Sequence, residues 1–382
     1  MSDQTSVPDG AEAQIRTTET DLDATGERLA SALGDLLGTD DRPVINNLRR
    51  PGHSGMSSIS ILFDATWVVG SEATTSALVA RLAPEESAFP VFPDYDIDLQ
   101  FQVMRAVAEH TTLPVPAVLW VETSPEVLGV PFLVMEQVQG VVPVDNPPYV
   151  FGGWLFEMDA DSRRAVQESA VHVLTQLHSM RTPSERVERL AGPRDVSSLR
   201  RHFEDQRVYY EWTRRADGLR IPLLEKTFDW LEAHWPAELS DDVLCWGDAR
   251  IGNIMFDGTE ADAVLDWEMA TIGPPELDLG WFLFFHRMFQ DLAEAFDFPG
   301  LPDMFRVSDV VAQYEGETGR TVRDLDFYLV YAALRHGIVM SQVDRRRIHF
   351  GEVEPHDDPD HYVLHHPMLA AILDGTYEWE KK

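Results

Sequence analysis

The 382-residue chain has one cysteine, Cys245, which excludes an internal disulfide framework and a cysteine-built zinc site. Lysine is almost absent. Of 31 basic residues only Lys226, Lys381 and Lys382 are lysine. Any task before position 226 that needs a side-chain cation therefore falls to arginine. No apolar run approaches the roughly 20 residues that span a bilayer. The opening MSDQTSVPDGAEAQ lacks the basic and apolar regions of a secretory signal. A soluble, cytoplasmic protein without membrane contact is the expectation. Positive charge is scarce overall, and a formal net charge of −34 disfavours nucleic acid as a partner. Such a balance suits plain solubility or a cationic small-molecule substrate, and charge alone does not separate the two.

What is present is ordinary for a globular protein: 44% hydrophobic and 25% charged residues, in a length that suits about two domains or lobes. Residues 1–20 are polar, without apolar periodicity, and read as a disordered tail. DLDATGERLASALGDLL, from 21, has helical spacing. From 43 to 140 the order is strand, Gly/Ser loop, strand, strand (ALVARLA), helix (DIDLQFQVMRAVAEH), strand (VPAVLWVE), strand (PFLVMEQV). That order predicts a small antiparallel sheet with one packed helix. From about 141 helices dominate, at 161–180, 196–217, 221–234, 276–292 and 324–345, with a last one from HPMLAAIL. The division is a 1–20 tail, a 21–140 lobe and a 141–382 lobe, an α+β architecture. The oligomeric state is not legible.

Within the helical part, VLCWGDARIGNIMFDGTEADAVLDWE (243–268) stands out. Apolar segments flank GDARIGN, giving strand, loop, strand. Asp248 and Asn253 can converge only if the loop folds back, which Gly247 and Gly252 would permit. VLDWE then delivers Asp266 at the end of a buried strand. One Asp and one Asn with phosphate oxygens suit magnesium, which takes few protein ligands. A second Asp that is not a ligand can orient or deprotonate a hydroxyl. Arg250 adds a cation. These are the parts of phosphoryl transfer, although Asp and Asn also shape ordinary turns.

GDARIGNIMF followed by AVLDWEMATIGPPELDLGWF resembles the aminoglycoside phosphotransferase and small-molecule kinase family, a branch of the protein-kinase-like fold. It is similar in particular to the branch attached to acyl-CoA dehydrogenases. The resemblance covers about 43–345 and implies a bilobal fold using ATP and Mg²⁺. By position it makes Asp248 the catalytic base, with Arg250 close to the γ-phosphate, and makes Asn253 and Asp266 the metal ligands. Asp278 would tie the active-site segment to a helix. SGMSSIS resembles the phosphate-covering loop, through Gly55, Ser57, Ser58 and Ser60. VMEQV matches the hinge, where the Glu136 carbonyl and Val138 N–H would meet adenine and Met135 would pack on it.

Three positions depart from the family pattern. The strand lysine that holds phosphates is missing, and Arg81 stands in its place, able to grip phosphate bidentately. Its usual helix glutamate is Gln100, which can accept a hydrogen bond from Arg81 but brings no charge. Trp246 replaces a histidine two residues before Asp248, and its indole could stack on Trp267. A non-catalytic nucleotide-binding protein is therefore the alternative to an enzyme. For the acceptor, the acidic EPHDDPD (Glu354, Asp357, Asp358, Asp360) would suit a cationic aminoglycoside. The basic 345–347 cluster would suit hydroxy acids or acyl thioesters. His178, His286 and His336 show no metal-like spacing.

Overall fold

A computed structural model describes residues 22–37, 42–51, 58–69, 71–193 and 195–380. The expected tail at 1–20 lies outside them, as do Gly55 and Ser57. The first part is a five-stranded sheet of β1 (Val44–Arg49), β2 (Ile59–Val69), β3 (Glu72–Leu82), β4 (Val118–Glu122) and β5 (Phe132–Glu136). Its spatial order is β1-β2-β3-β5-β4, and every neighbouring pair is antiparallel. Two-residue periodicity gives the sheet two working faces. Ile61, Phe63, Leu78, Ala80, Leu82, Phe132 and Val134 face outward and pack under Leu29 and Leu33 of helix α1 (Leu22–Leu37). Val79, Leu133 and Met135 face the opposite way, into the larger core. Arg81 lies between Ala80 and Leu82, so it shares that inner face, with Ser60 directly opposite it on β2. Strand β3 is longer than ALVARLA suggests. Its first half, from Glu72, is exposed and polar and carries no apolar signal.

Helix α2 (Ile97–His110) begins where Asp96 accepts the Leu99 amide at 2.9 Å. It buries Val103, Ala106 and Val107 as its spacing predicted, while Leu99 is half-buried. The remainder is mainly helical, with α3 (Trp154–Glu157), α4 (Ala160–Leu177), α5 (Pro183–Arg186), α6 (Ser198–Thr213), α7 (Pro222–Ala233), α8 (Glu276–Ala295), α9 (Val307–Thr318), α10 (Leu325–His349) and α11 (His366–Leu373). The sequence patterning did not show α9, which buries only Val310 and Tyr314. The backbones of α8 and α10 approach closely at Gly280, where a Cβ would lie 2.7 Å from the Tyr328 carbonyl oxygen.

The strand–loop–strand order read from VLCWGDARIGNIMF is present. Strand β6 (Val243–Cys245) pairs with β9 (Thr271–Gly273), and β7 (Ile254–Asp257) pairs with β8 (Glu260–Val264). The two strands flanking the loop belong to different ribbons. The β7–β8 hairpin is stitched to the first part of the chain. Val141 and Phe256 exchange backbone hydrogen bonds of 3.0 and 2.8 Å, and the Val264 amide donates to the Pro114 carbonyl at 2.9 Å. Among the described residues, no helix is long and apolar enough to cross a membrane.

Candidate active site

The hairpin accounts for the interval between Asn253 and Asp266. Register pairs Ile254 with Val264, and the ladder runs one step further as the Leu265 amide donates to the Asn253 carbonyl at 2.9 Å. Asp266 follows at once, so the two residues leave the same end of one hairpin. Asp266 is not at the end of a strand, as VLDWE suggested. Its φ is 64°, in the left-handed region that a strand cannot include. That conformation costs a non-glycine residue about 1 kcal/mol or more. The Trp246 indole holds it, donating to the carbonyls of Leu265 and Asp266 at 2.9 and 3.0 Å.

Asp248 sits in the loop that joins β6 to β7. Its carboxylate accepts from the Asn253 amide at 2.6 Å, the Trp281 indole at 2.8 Å and Arg250 Nε at 3.0 Å. The Asn253 Nδ2 also donates to the Asp248 carbonyl at 3.1 Å. Both of its partners are acceptors, so the Asn253 oxygen faces elsewhere and keeps its lone pairs. Burial, reinforced by the negative charge of Asp266, pushes the Asp248 carboxyl up to about 7, although the Trp281 and Asn253 donors pull the other way. A carboxyl poised there suits proton transfer near neutrality.

A second layer fixes this loop. Asp278, fully buried on α8, accepts the amides of Trp246 at 2.6 Å and Gly247 at 2.8 Å. It therefore makes the tie to the helix that its place in ELDLGW implied. Gly247 has φ 88°, and a Cβ there would lie 1.9 Å from the Met269 carbonyl, so the turn requires glycine. Gly252 serves differently: a Cβ there would crowd the Asp145 carboxylate at 2.6 Å. Buried Arg335 of α10 donates to the Gly247 carbonyl at 2.9 Å and lies over the Trp281 ring at 4.3 Å. Trp246 and Trp267 are both buried, with ring centres 5.9 Å apart, but tilted by 37° rather than stacked. His178, Cys245 and Asp278 form a buried cluster with donor atoms within 4.8 Å of one another. Its groups are already used: His178 bonds Tyr314 and Asp278, and the thiol faces the carbonyls of Gly273 and Pro274.

Across the cleft, Arg81 does not hydrogen-bond Gln100 as the sequence suggested. One terminal nitrogen contacts both the Asp266 carboxylate and Glu268 Oε2, the latter at 3.1 Å. Gln100 is buried with its Nε2 unpartnered, and Arg81 Nε is likewise buried without a partner. Ser58 is buried just before β2. Met135 is buried on the same inner face as Arg81. At the end of β5 the Glu136 amide donates to Ala117 and the Gln137 amide to Ala77. Strand alternation then turns the Glu136 carbonyl to the Ala117 side, and Val138 lies two residues beyond the end of β5.

Beside the loop is a shallow recess lined by Asp145, Tyr149, Arg250, Phe282, Phe285, His286 and Phe289 among others. Arg250 bridges it to the site, contacting Asp145 through NH1 and Asp248 through Nε. The other candidate substrate-binding segments have structural partners. Asp358 caps the turn at 359–362, and Asp360 accepts the Leu223 amide at the start of α7. Arg345 pairs with Asp217, and Arg347 with Asp344 and Glu352.

A family model described as the phosphotransferase enzyme family matches residues 59–307. The chain belongs to that family. The chain is 27% identical, over 77% of its length, to a probable acyl-CoA dehydrogenase, IBR3, of Arabidopsis thaliana. It spans only 36% of that relative. A candidate aminoglycoside phosphotransferase from Ralstonia eutropha shares its fold, with a TM-score of 0.62 at 22% identity, covering 93% of this chain and 99% of the other. A thermostable variant of the aminoglycoside phosphotransferase APH(4)-Ia, solved with ADP and hygromycin B, superposes with a TM-score of 0.54 at 18% identity, over 92% and 99%. The α+β architecture of the chain is thus the kinase-like one expected. Sequence reasoning missed Asp145, Glu268, Trp281 and Arg335. For Trp281 a signal existed: it lies three residues after Asp278, on the same face of α8.

Proposed function

We propose that the phosphotransferase moves the γ-phosphoryl group of ATP to a hydroxyl of a small molecule, with Mg²⁺ held by Asn253 and Asp266. The observation that carries this is the junction of hairpin and loop: Asn253, which leaves the same end of the hairpin as Asp266, donates directly to the Asp248 carboxylate at 2.6 Å. The donor set fits the metal, since Asn253 and Asp266 offer hard oxygens and Asp266 already holds a cation, Arg81. The unpartnered Arg81 Nε fits a phosphate oxygen as its missing acceptor. Mg·ATP supplies the phosphoryl group and the charge neutralisation that its transfer needs. Asp248 orients the acceptor hydroxyl and takes its proton. Arg250 and Trp281 keep that carboxylate fixed. Arg81 grips the phosphates, the Glu136 carbonyl and Val138 N–H meet adenine, and Met135 packs against it. Ser58, with Gly55 and Ser57, belongs to the loop over the phosphates. The ADP complex of a protein of the same fold supports nucleotide use.

A nucleotide-binding role without turnover is the second reading. The engagement of Arg81 by two carboxylates favours it. The poised Asp248 weighs against it, because a protein that only binds has no use for a base.

For the acceptor, hygromycin B in the APH(4)-Ia variant supports an aminoglycoside, and the kinship with acyl-CoA dehydrogenase proteins supports a hydroxy acid or acyl thioester. The test is ATP consumption by the wild type and Asp248→Asn across aminoglycosides, macrolides, choline, sugars and hydroxy acids. Acceptor-dependent ADP release that needs Asp248 is expected. Release indifferent to Asp248 would contradict the assignment.

A further inference from the structure

Arg81 is the cation on the nucleotide side of the cleft, and α2 gives it no counter-charge. Gln100 is 3% exposed and its Nε2 bonds to nothing. A guanidinium with a side chain only 11% exposed is costly without a fixed anion. The anion comes from the opposite part of the cleft. Glu268, 9% exposed, lies two residues beyond Asp266, on the segment clamped by the Trp246 indole, and its Oε2 is 3.1 Å from Arg81. Burial alone would lower the pKa of Arg81; the charges of Asp266 and Glu268 outweigh it and hold it above the ordinary value.

The two carboxylates on Arg81 are not equivalent. Asp266 follows the residue that pairs with Asn253, and a carboxylate that would ligate Mg²⁺ has its negative charge largely neutralised, which weakens its hold on a guanidinium. Glu268 is then the anion left to hold Arg81. We propose that Glu268 is the positioning residue of the phosphate clamp: it keeps Arg81 paired and aimed into the cleft, which would leave Asp266 available to hold Mg²⁺. This rests on the phosphate-gripping role of Arg81 given above. The charge that relatives place on the helix is here carried by the segment after the metal aspartate, so that metal ligand and phosphate clamp share one rigid piece of backbone.

The test is calorimetric titration of the full chain with ATP and with adenosine, at several Mg²⁺ concentrations, for the wild type, Glu268→Gln and Glu268→Asp. Glu268→Gln keeps size and removes charge. Its affinity for ATP should fall about tenfold or more, as for loss of a charge-assisted partner. Adenosine affinity should stay within about twofold, inside the spread of an uninvolved site, and the Mg²⁺ requirement should not move. Glu268→Asp should recover part of the loss. Equal weakening of ATP and adenosine would make Glu268 merely structural. A shifted Mg²⁺ requirement with unchanged metal-free ATP binding would make it a metal ligand. No change at all would also overturn the proposal. If Glu268→Gln melts too early to titrate, Glu268→Asp decides by the same ATP-to-adenosine ratio. A wild type that fails to bind ATP would instead sink the phosphotransfer reading itself.

Discussion

The two sides of the cleft are built to different standards. On the catalytic-loop side each key group is held more than once. Asp248 has three side-chain donors, and the turn before it is fixed by Asp278, Arg335 and Gly247. On the Arg81 side one arginine serves two carboxylates, and two buried donors, Arg81 Nε and Gln100 Nε2, have no acceptor, while on the Asp248 side Arg335 Nε is in the same position. Buried polar groups are usually satisfied. A group held by several neighbours is preorganised, and the adjacent orphans Arg81 Nε and Gln100 Nε2 leave the Arg81 side less fully satisfied. The Asp248 side is held by its own neighbours, and the Arg81 side is the one to which the proposed phosphates would add partners.

The largest effect should come from the preorganised side. Asp248→Asn should lower turnover by about 100-fold or more, the usual cost of losing a general base, while ATP still binds. Turnover close to wild type would end the catalytic assignment. Next is the layer behind it. In Asp278→Asn one buried N–H faces an amide nitrogen instead of an oxygen. A stability loss of about 1–3 kcal/mol is expected, the cost of one unsatisfied buried group, read as a lower denaturation midpoint. An unchanged midpoint would show that the loop holds itself.

The nucleotide side should respond more selectively. Arg81→Ala should weaken ATP about tenfold or more, as for loss of a charge-assisted contact, and leave adenosine little changed. Arg81→Lys should recover only part, because a point charge lacks the fork geometry. Equal loss of both ligands would make Arg81 structural and erase the contrast between the two sides.

Smallest is Trp281→Phe. The indole donor lowers the Asp248 pKa, so its removal should move the rising limb of kcat/KM to higher pH than in the wild type. The sign can be checked independently. A carboxyl with a raised folded pKa makes the folded protein hold a proton that the unfolded chain has released. Its contribution to stability therefore declines as pH rises from about 4 through about 7. A limb that moves down in Trp281→Phe would contradict the geometry.

Sequence periodicity carried the sheet, its packed helix and most of the long helices, because those elements bury one face on a regular repeat. It also carried Asp248, Asn253 and Asp266, whose spacing a loop and a hairpin impose. It did not show which strands pair. VLC and IMF look like partners because they are close in sequence, yet β6 finds β9, which begins 26 residues after β6 ends. The partner of Arg81 was equally hidden. Local logic pointed to Gln100 on the next helix, while the charge came from Glu268, 187 residues away. Arg335 was silent for the same reason, as its contact to Gly247 spans 88 residues. Short-range pattern reveals faces and loops, whereas long-range charge pairing depends on how the parts close on one another.

The most direct measurement is calorimetric titration of ATP, with and without Mg²⁺, into the wild type, Asn253→Ala and Asp266→Ala. Wild type should bind ATP more tightly with Mg²⁺ than without it, and both variants should lose that increment, because their oxygens are the protein's share of the metal site. An Mg²⁺ increment that persists in Asp266→Ala would contradict the site at its centre.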